Sequence, residues 1–301
     1  MKGRIAEIAL VVAMLLWASS FIALKIAFQS YDPWTVIAGR MVVASVCFLC
    51  FWRKLLKFHY QSGDWKLLLL LVAAEPCLYF IFEALALQYT TAGQAGMITS
   101  LAPLLTAVIA FFVLKEKISK IASLGLGIAI IGVLVLGSEG HSSETAPNPM
   151  LGNSLEFLAM LCAAVFSICL KILSERYSAL TMTALMSFTG MLFFTPIALL
   201  QGNAWSWDAQ GLTAIVFLGG FVTIGAYLLY NYAISHMPVT RAAGFINLIP
   251  VFTLVLAYLI LDERLSPMQI GACAIVMFGV GLSQFKSKGE TPAQAFAEPE
   301  N

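Results

Sequence analysis

Residues 84–119 return as residues 231–266 at a constant offset of 147 positions, so the chain can only be built as two copies of one plan. The copies match at Ala86 and Ala233, Ala95 and Ala242, Leu101 and Leu248, Pro103 and Pro250, Thr106 and Thr253, and Glu116 and Glu263. In each, a short polar turn leads into roughly twenty apolar residues broken by one proline. Each closes on a charged cluster, Lys115-Glu116-Lys117 or Asp262-Glu263-Arg264. That pattern predicts a membrane-crossing helix, kinked at Pro103 or Pro250, with a solvated end.

Composition extends the argument to the whole chain. Of 301 residues 60% are hydrophobic and 11% charged, too few charges to cover a soluble globule, so lipid is the solvent around most of it. Runs long enough to cross a core of about 30 Å at about 1.5 Å per residue fall at 5–27, 33–52, 66–87, 92–114, 121–137, 152–173, 180–200, 211–234, 241–261 and 267–285. The expected fold is an all-α membrane protein, ten transmembrane helices in two five-helix repeats. An odd number per repeat places the second copy upside down relative to the first. The expected units are residues 1–138, a linker at 139–151, residues 152–285, and a disordered cytoplasmic tail at 286–301.

Loop charge sets the orientation. With the N-terminus in the cytoplasm, all but three of the 17 Lys and Arg residues fall at inner helix ends, the exceptions being Lys25, Arg40 and Arg264. Both termini are therefore expected inside, in a bacterial inner membrane. The first helix follows Lys2 and Arg4 but has no small-residue cleavage site after its apolar run, so it reads as retained.

Several classes of function find no support. A net charge of +1 gives no reason to expect nucleic acid. Cys47-x-x-Cys50 has metal spacing but neither a second pair nor a nearby histidine, and all six cysteines fall in apolar runs, so no metal or cofactor is expected. His59, His141 and His236 lie in loops, and no Gly-x-Ser-x-Gly or His-Glu-x-x-His is present, which argues against an enzyme.

Intramembrane acids point to the site, because a charge at mid-bilayer costs about 3 kcal/mol even on insertion scales. Glu75, Tyr79 and Glu83 are spaced as one polar stripe on the third helix. Glu83 and Arg40 fall at similar depth and are expected to form a structural ion pair. Glu75 lies near the bilayer centre with no basic residue at its level, which makes it the candidate for binding a proton or a cationic substrate group. Thr223, Tyr227, Tyr230 and Asn231 follow helical spacing on the eighth helix, with Tyr230 at the repeat position of Glu83. Trp17 with Ser20, and Thr99 with Ser100, fall at central depth. Pro103 and Pro250 free the carbonyls of Thr99 and Ile246, and Asn247 sits beside the second of these.

In Leu16-Trp17-Ala18-Ser19-Ser20-Phe21, in Pro33 with Arg40, in Ala86-Leu87-Gln88-Tyr89-Thr90-Thr91-Ala92, in Pro103 and in the cluster from Leu114 to Ser119, the chain resembles the EamA family of the drug/metabolite transporter superfamily. The resemblance covers residues 5–285. It implies ten helices around a central cavity lined by the first, third, fourth, sixth, eighth and ninth, and transport of small metabolites, often outward. The second half departs from the pattern, with Ser187 where Arg40 would repeat and Ala163 or Ala164 where Trp17 would, so the path is expected to be asymmetric. The expected function is movement of an amino acid, amine or drug-like compound by alternating access, with the proton as candidate coupling ion, lipid as surroundings and a homodimer as an option. A facilitative uniporter without proton coupling, and a non-transporting sensor or assembly protein that keeps the fold, are the alternatives.

Overall fold

The computed structural model describes residues 2–56, 60–114, 120–138, 143, 146–201, 207–234, 245–264 and 266–284. The Lys115-Glu116-Lys117 cluster, Arg241, the three histidines and the tail lie outside the described residues. Regular structure within them is helical apart from an isolated bridge between Ser143 and Ala146. The helices are α1 Lys2–Ala27, α2 Pro33–Leu49, α3 Trp52–Leu55, α4 Trp65–Val72, α5 Tyr79–Tyr89, α6 Ala92–Ile98 and α7 Ala102–Leu114. Then come α8 Lys120–Ser138, α9 Pro149–Leu173, α10 Ala179–Leu200, α11 Ala209–Phe217, α12 Tyr227–Ile234, α13 Leu248–Leu261 and α14 Pro267–Gln284.

Among the described residues, six segments are long and apolar enough to cross a membrane: Ile5–Ala27, Trp65–Tyr89, Ala92–Val113, Pro149–Leu173, Ala179–Leu200 and Ala209–Ala233. The side-chain distribution agrees with a lipid surround. Leu200, Phe112, Leu192 and Leu259 are exposed, whereas Arg40, Glu75, Glu83 and Glu156 are buried. Water as the outer solvent would favour the opposite arrangement.

Helix starts follow capping chemistry. Asp32 Oδ1 accepts from Trp34 N at 3.0 Å and Thr35 N at 3.1 Å ahead of Pro33, and Asn148 accepts from Leu151 N at 3.2 Å ahead of Pro149. Asp208 caps α11 by accepting from Gly211 N at 2.6 Å, and it also accepts from the Ser30 hydroxyl at 2.8 Å. These two donors, the backbone first, hold the Asp208 carboxyl below its ordinary range. A depressed folded value contributes stability above the unfolded carboxyl value of about 4, and that contribution is lost as pH falls through the folded value. Thermal unfolding of Asp208→Asn should therefore lose part of the acid-side destabilisation of the wild type; superimposable pH profiles would dismiss this cap as a source of it.

Three spans are not continuous α-helix. At Glu75 the backbone is extended, φ −146° and ψ 119°, immediately before Pro76, whose ring disfavours helix in the preceding residue. A 3₁₀ turn over Thr99–Leu101 precedes Pro103. A π segment covers Leu218–Ala226 between α11 and α12. The expected single stripe through Glu75, Tyr79 and Glu83 is thus divided, with Glu75 in the break and the other two on α5.

Packing crosses the chain's midpoint. α8 lies against α14, α2 against α10, α5 against α9, and α1 against both α12 and α13. A Cβ on Gly279 would meet Ala129 N at 2.6 Å, and one on Gly96 would meet the Thr253 side chain at 2.5 Å, so small residues set these approaches.

Candidate functional site

Two of the breaks, at Glu75 and at Thr99, open onto a cavity of about 90 Å³ among the helices, and α12, which follows the third, lines it with Tyr227 and Tyr230. Trp17, Ser20, Glu75, Tyr79, Glu83 and Thr99 line it, as do Arg40, Pro103, Tyr227 and Tyr230. The remaining candidates stand back from it. The Ser100 hydroxyl donates to Met97 O at 2.7 Å, and Asn231 Nδ2 donates to Thr183 Oγ1 at 3.2 Å. Asn247 precedes α13 with its buried Oδ1 unpartnered among the described residues, and Pro250 sits buried in the first turn of that helix.

One wall is acidic. The Tyr227 hydroxyl donates to Glu75 Oε1, and the Tyr79 hydroxyl donates to Glu83 Oε1 at 2.8 Å. Arg40 Nη1 lies 3.9 Å from Glu83 Oε2, within ion-pair range but beyond a hydrogen bond. Its Nε donates to Thr223 Oγ1 at 2.7 Å, and its guanidinium carbon lies 4.3 Å over the Phe80 ring. Arg40 therefore joins α5 of the first half to the π segment of the second. The opposite wall is aromatic. Trp17 meets Tyr227 edge-on at 5.4 Å and Tyr230 at 4.9 Å, and Phe166 of α9 lies 6.3 Å from Tyr227. A small ligand with a cationic end and an apolar body matches both walls.

Glycine makes the Arg40 contact possible. A Cβ on Gly219 would fall 2.6 Å from both Arg40 O and the Val43 side chain, whereas one on Gly220 meets nothing within 4 Å. Gly219→Ala should destabilise the protein by about 1–3 kcal/mol, while Gly220→Ala should be near neutral. Equal thermal midpoints for the two variants would mean that this approach is slack.

The cavity is tied across its two ends by different contacts. At the end carrying Thr90, Glu263 accepts from Ala92 N at 3.0 Å and Gly93 N at 2.9 Å, capping α6 with a carboxylate from the second half. At the other end Asp64 pairs with Arg176 and accepts from the Tyr177 hydroxyl at 3.0 Å. Burial, then the neighbouring Asp64 carboxylate, raises the Tyr177 phenol above its ordinary value, against the backbone donor of Gln61.

Sequence reasoning passed over four participants. Phe80 and Phe166 carry no polar signal within an apolar run. Pro76 was a visible break signal. Glu156, an acid inside the apolar run of α9, is fully buried and carries the same signal that identified Glu75 and Glu83.

A family model described as the EamA-like transporter family matches residues 4–138 and, a second time, residues 150–284. An uncharacterized transporter of Bacillus subtilis (strain 168), YetK, is 28% identical over 294 residues, covering 94% of this chain and 88% of that protein. A probable terminal-alkyne amino-acid exporter of Streptantibioticus cattleyicolor is 24% identical over 292 residues, covering 96% of each. One solved crystal structure superposes with a TM-score of 0.66 at 17% identity, over 92% of this chain and 96% of its own, a likeness of fold alone.

Proposed function

Because the chain belongs to the EamA-like transporter family, we propose that it exports a small organic metabolite across the bacterial inner membrane by alternating access. Its ten helices form two oppositely inserted halves, residues 1–138 and 152–285, with both termini cytoplasmic, and the halves rock about the central cavity. The observation that carries this reading is the cavity itself, which has acids on one wall and aromatic rings on the other. Its volume of about 90 Å³ is well below the roughly 300–1,000 Å³ of sites for drug-sized ligands. That favours a compact amino acid or amine over a bulky drug. The name of the Streptantibioticus cattleyicolor relative, a probable terminal-alkyne amino-acid exporter, points the same way.

In this reading the ammonium group of the substrate faces Glu75 and Glu83, and its side chain lies against Trp17, Tyr227 and Tyr230. Glu75 is the first candidate for coupling, since its hydrogen-bond donor among the described residues, Tyr227, lies in the other half and the bond must break when the halves part.

Proteoliposomes loaded with a mixed pool of amino acids and amines test the proposal. Selective loss of one class relative to protein-free vesicles, read by mass spectrometry, is the expected result; no selective loss from folded, inserted protein would reject it. Glu75→Gln should lower efflux at least about tenfold, as expected when a positioned proton-transfer group is removed. Undiminished, still pH-dependent efflux from that variant would remove Glu75 from the coupling route.

A further inference from the structure

Three acids are buried in and around the cavity, and they differ in what faces them. Glu75 has the Tyr227 hydroxyl. Glu83 has the Tyr79 hydroxyl at 2.8 Å and Arg40 at 3.9 Å. Glu156, on α9, is 0% exposed, and neither of its carboxyl oxygens has a hydrogen-bond partner among the described residues. A bare carboxylate cut off from water with no donor is strongly disfavoured. The smallest group that relieves it is a proton on one of its own oxygens.

The surroundings narrow what Glu156 can exchange with. Of the elements packed on α9, the third span brings Lys66, Glu75, Cys77, Tyr79, Glu83 and Tyr89; α6, the 3₁₀ turn and α7 bring no titratable group; and α8 brings only Lys120, at its start. Cys162, Cys169 and Lys171 follow on α9 itself. Among these, Glu83 and Tyr79 lie within electrostatic reach of the Glu156 carboxyl. In the other direction, Asn153 precedes Glu156 by three residues on the same helix, close to one turn. Its Oδ1 lies 2.8 Å from the Thr90 hydroxyl, which is 3.0 Å from Gln94 Oε1, and its Nδ2 donates to Gln94 Oε1 at 3.2 Å. Polar groups thus reach from the Thr90 end of the bundle to Asn153, one turn before Glu156 on α9, and Glu83 lies on the adjoining α5.

We propose that Glu156 is a proton-binding site that exchanges with water from the Thr90 end and passes its proton to Glu83. This rests on the carrier reading above. In the transfer the O–H bond of Glu156 breaks and one forms at a Glu83 oxygen, leaving Glu156 ionised and Glu83 neutral. Arg40 then loses its anion. An ionised Glu156 is tolerable only once water or a donor reaches it, so the transfer is confined to a conformation in which the Thr90 end has opened. A proton held by Glu156 is in this way tied to one side of the cycle.

Infrared spectra of the purified full-length protein in lipid at neutral pH test the site without any substrate. The wild type should show a protonated-carboxyl carbonyl band that Glu156→Gln loses and Glu156→Asp shifts. Superimposable wild-type and Glu156→Gln spectra in that region would overturn the proposal; if the glutamine variant does not fold, an unshifted band in the aspartate variant would do the same. In the loaded vesicles, an imposed pH gradient should accelerate wild-type efflux, and that acceleration should be lost in Glu156→Gln. Acceleration retained in the variant would overturn the relay while leaving the carrier standing. If the wild type releases nothing selectively, it is the carrier reading that falls, and the infrared band still decides Glu156.

Discussion

Arg40→Met should lower the stability of the protein by about 3–5 kcal/mol, the cost of leaving one member of a buried ion pair without its partner. Glu83 would keep the Tyr79 hydroxyl but lose the guanidinium 3.9 Å away. Thr223 would lose its donor from Arg40 Nε. The measurement is thermal unfolding in detergent, with Arg40→Met/Glu83→Gln as the partner variant. The double variant should recover much of the loss because it removes the stranded charge along with its counter-ion. Arg40→Lys should not recover it, since an ammonium cannot stack flat on Phe80 while reaching both Thr223 and Glu83. A wild-type midpoint for the single variant would show that the pair contributes nothing to the fold.

The second large effect belongs to Glu263. Replacing it with glutamine removes the negative charge at the start of α6 and one of the acceptors for Ala92 N and Gly93 N. Hydrogen bonds to a charged group at a helix terminus are worth about 1.5–3 kcal/mol. Because this cap joins the two halves, its loss should favour opening of the Thr90 end, by about tenfold or more in population. A cysteine at Ser20, on the cavity wall, in a background without the native cysteines, reports that opening through its labelling rate with a membrane-impermeant thiol reagent. An unchanged rate would show that the cap decorates the end without holding it shut.

Much of this site was open to reading from the sequence, for physical reasons that also explain the gaps. An acid in an apolar run is expensive, so Glu75 and Glu83 stood out, and counting residues from helix ends was enough to place Arg40 near Glu83. The repeat made Pro103 and Pro250 visible as a pair. Helical spacing failed where the backbone leaves the helix: a stripe drawn through Glu75 assumed continuity that Pro76 interrupts. The π segment has no periodicity of its own to betray it, although Gly219 and Gly220 within it are weak signals. Glu156 carried the same signal as Glu75 and was overlooked in the first copy's shadow. The Glu263 cap depends on two loops 171 residues apart meeting in space, and no local pattern encodes that.

The crossed packing of the two halves has a consequence for how the protein is made. Synthesis delivers α1 to α8 first, yet α1, α2, α5 and α8 each find a main neighbour among α9 to α14. Until the later helices arrive, Arg40 lacks Thr223, the start of α6 lacks Glu263, and Asp64 lacks Arg176. A ribosome that stalls after Ser138 would leave in the bilayer a bundle whose buried cation, helix terminus and carboxylate all lack their far-half partners. Membrane proteases and chaperones that recognise unsatisfied polar groups would meet the chain at that stage, so a premature stop or slow codons near the midpoint should reduce the yield of protein more than the same change near the end.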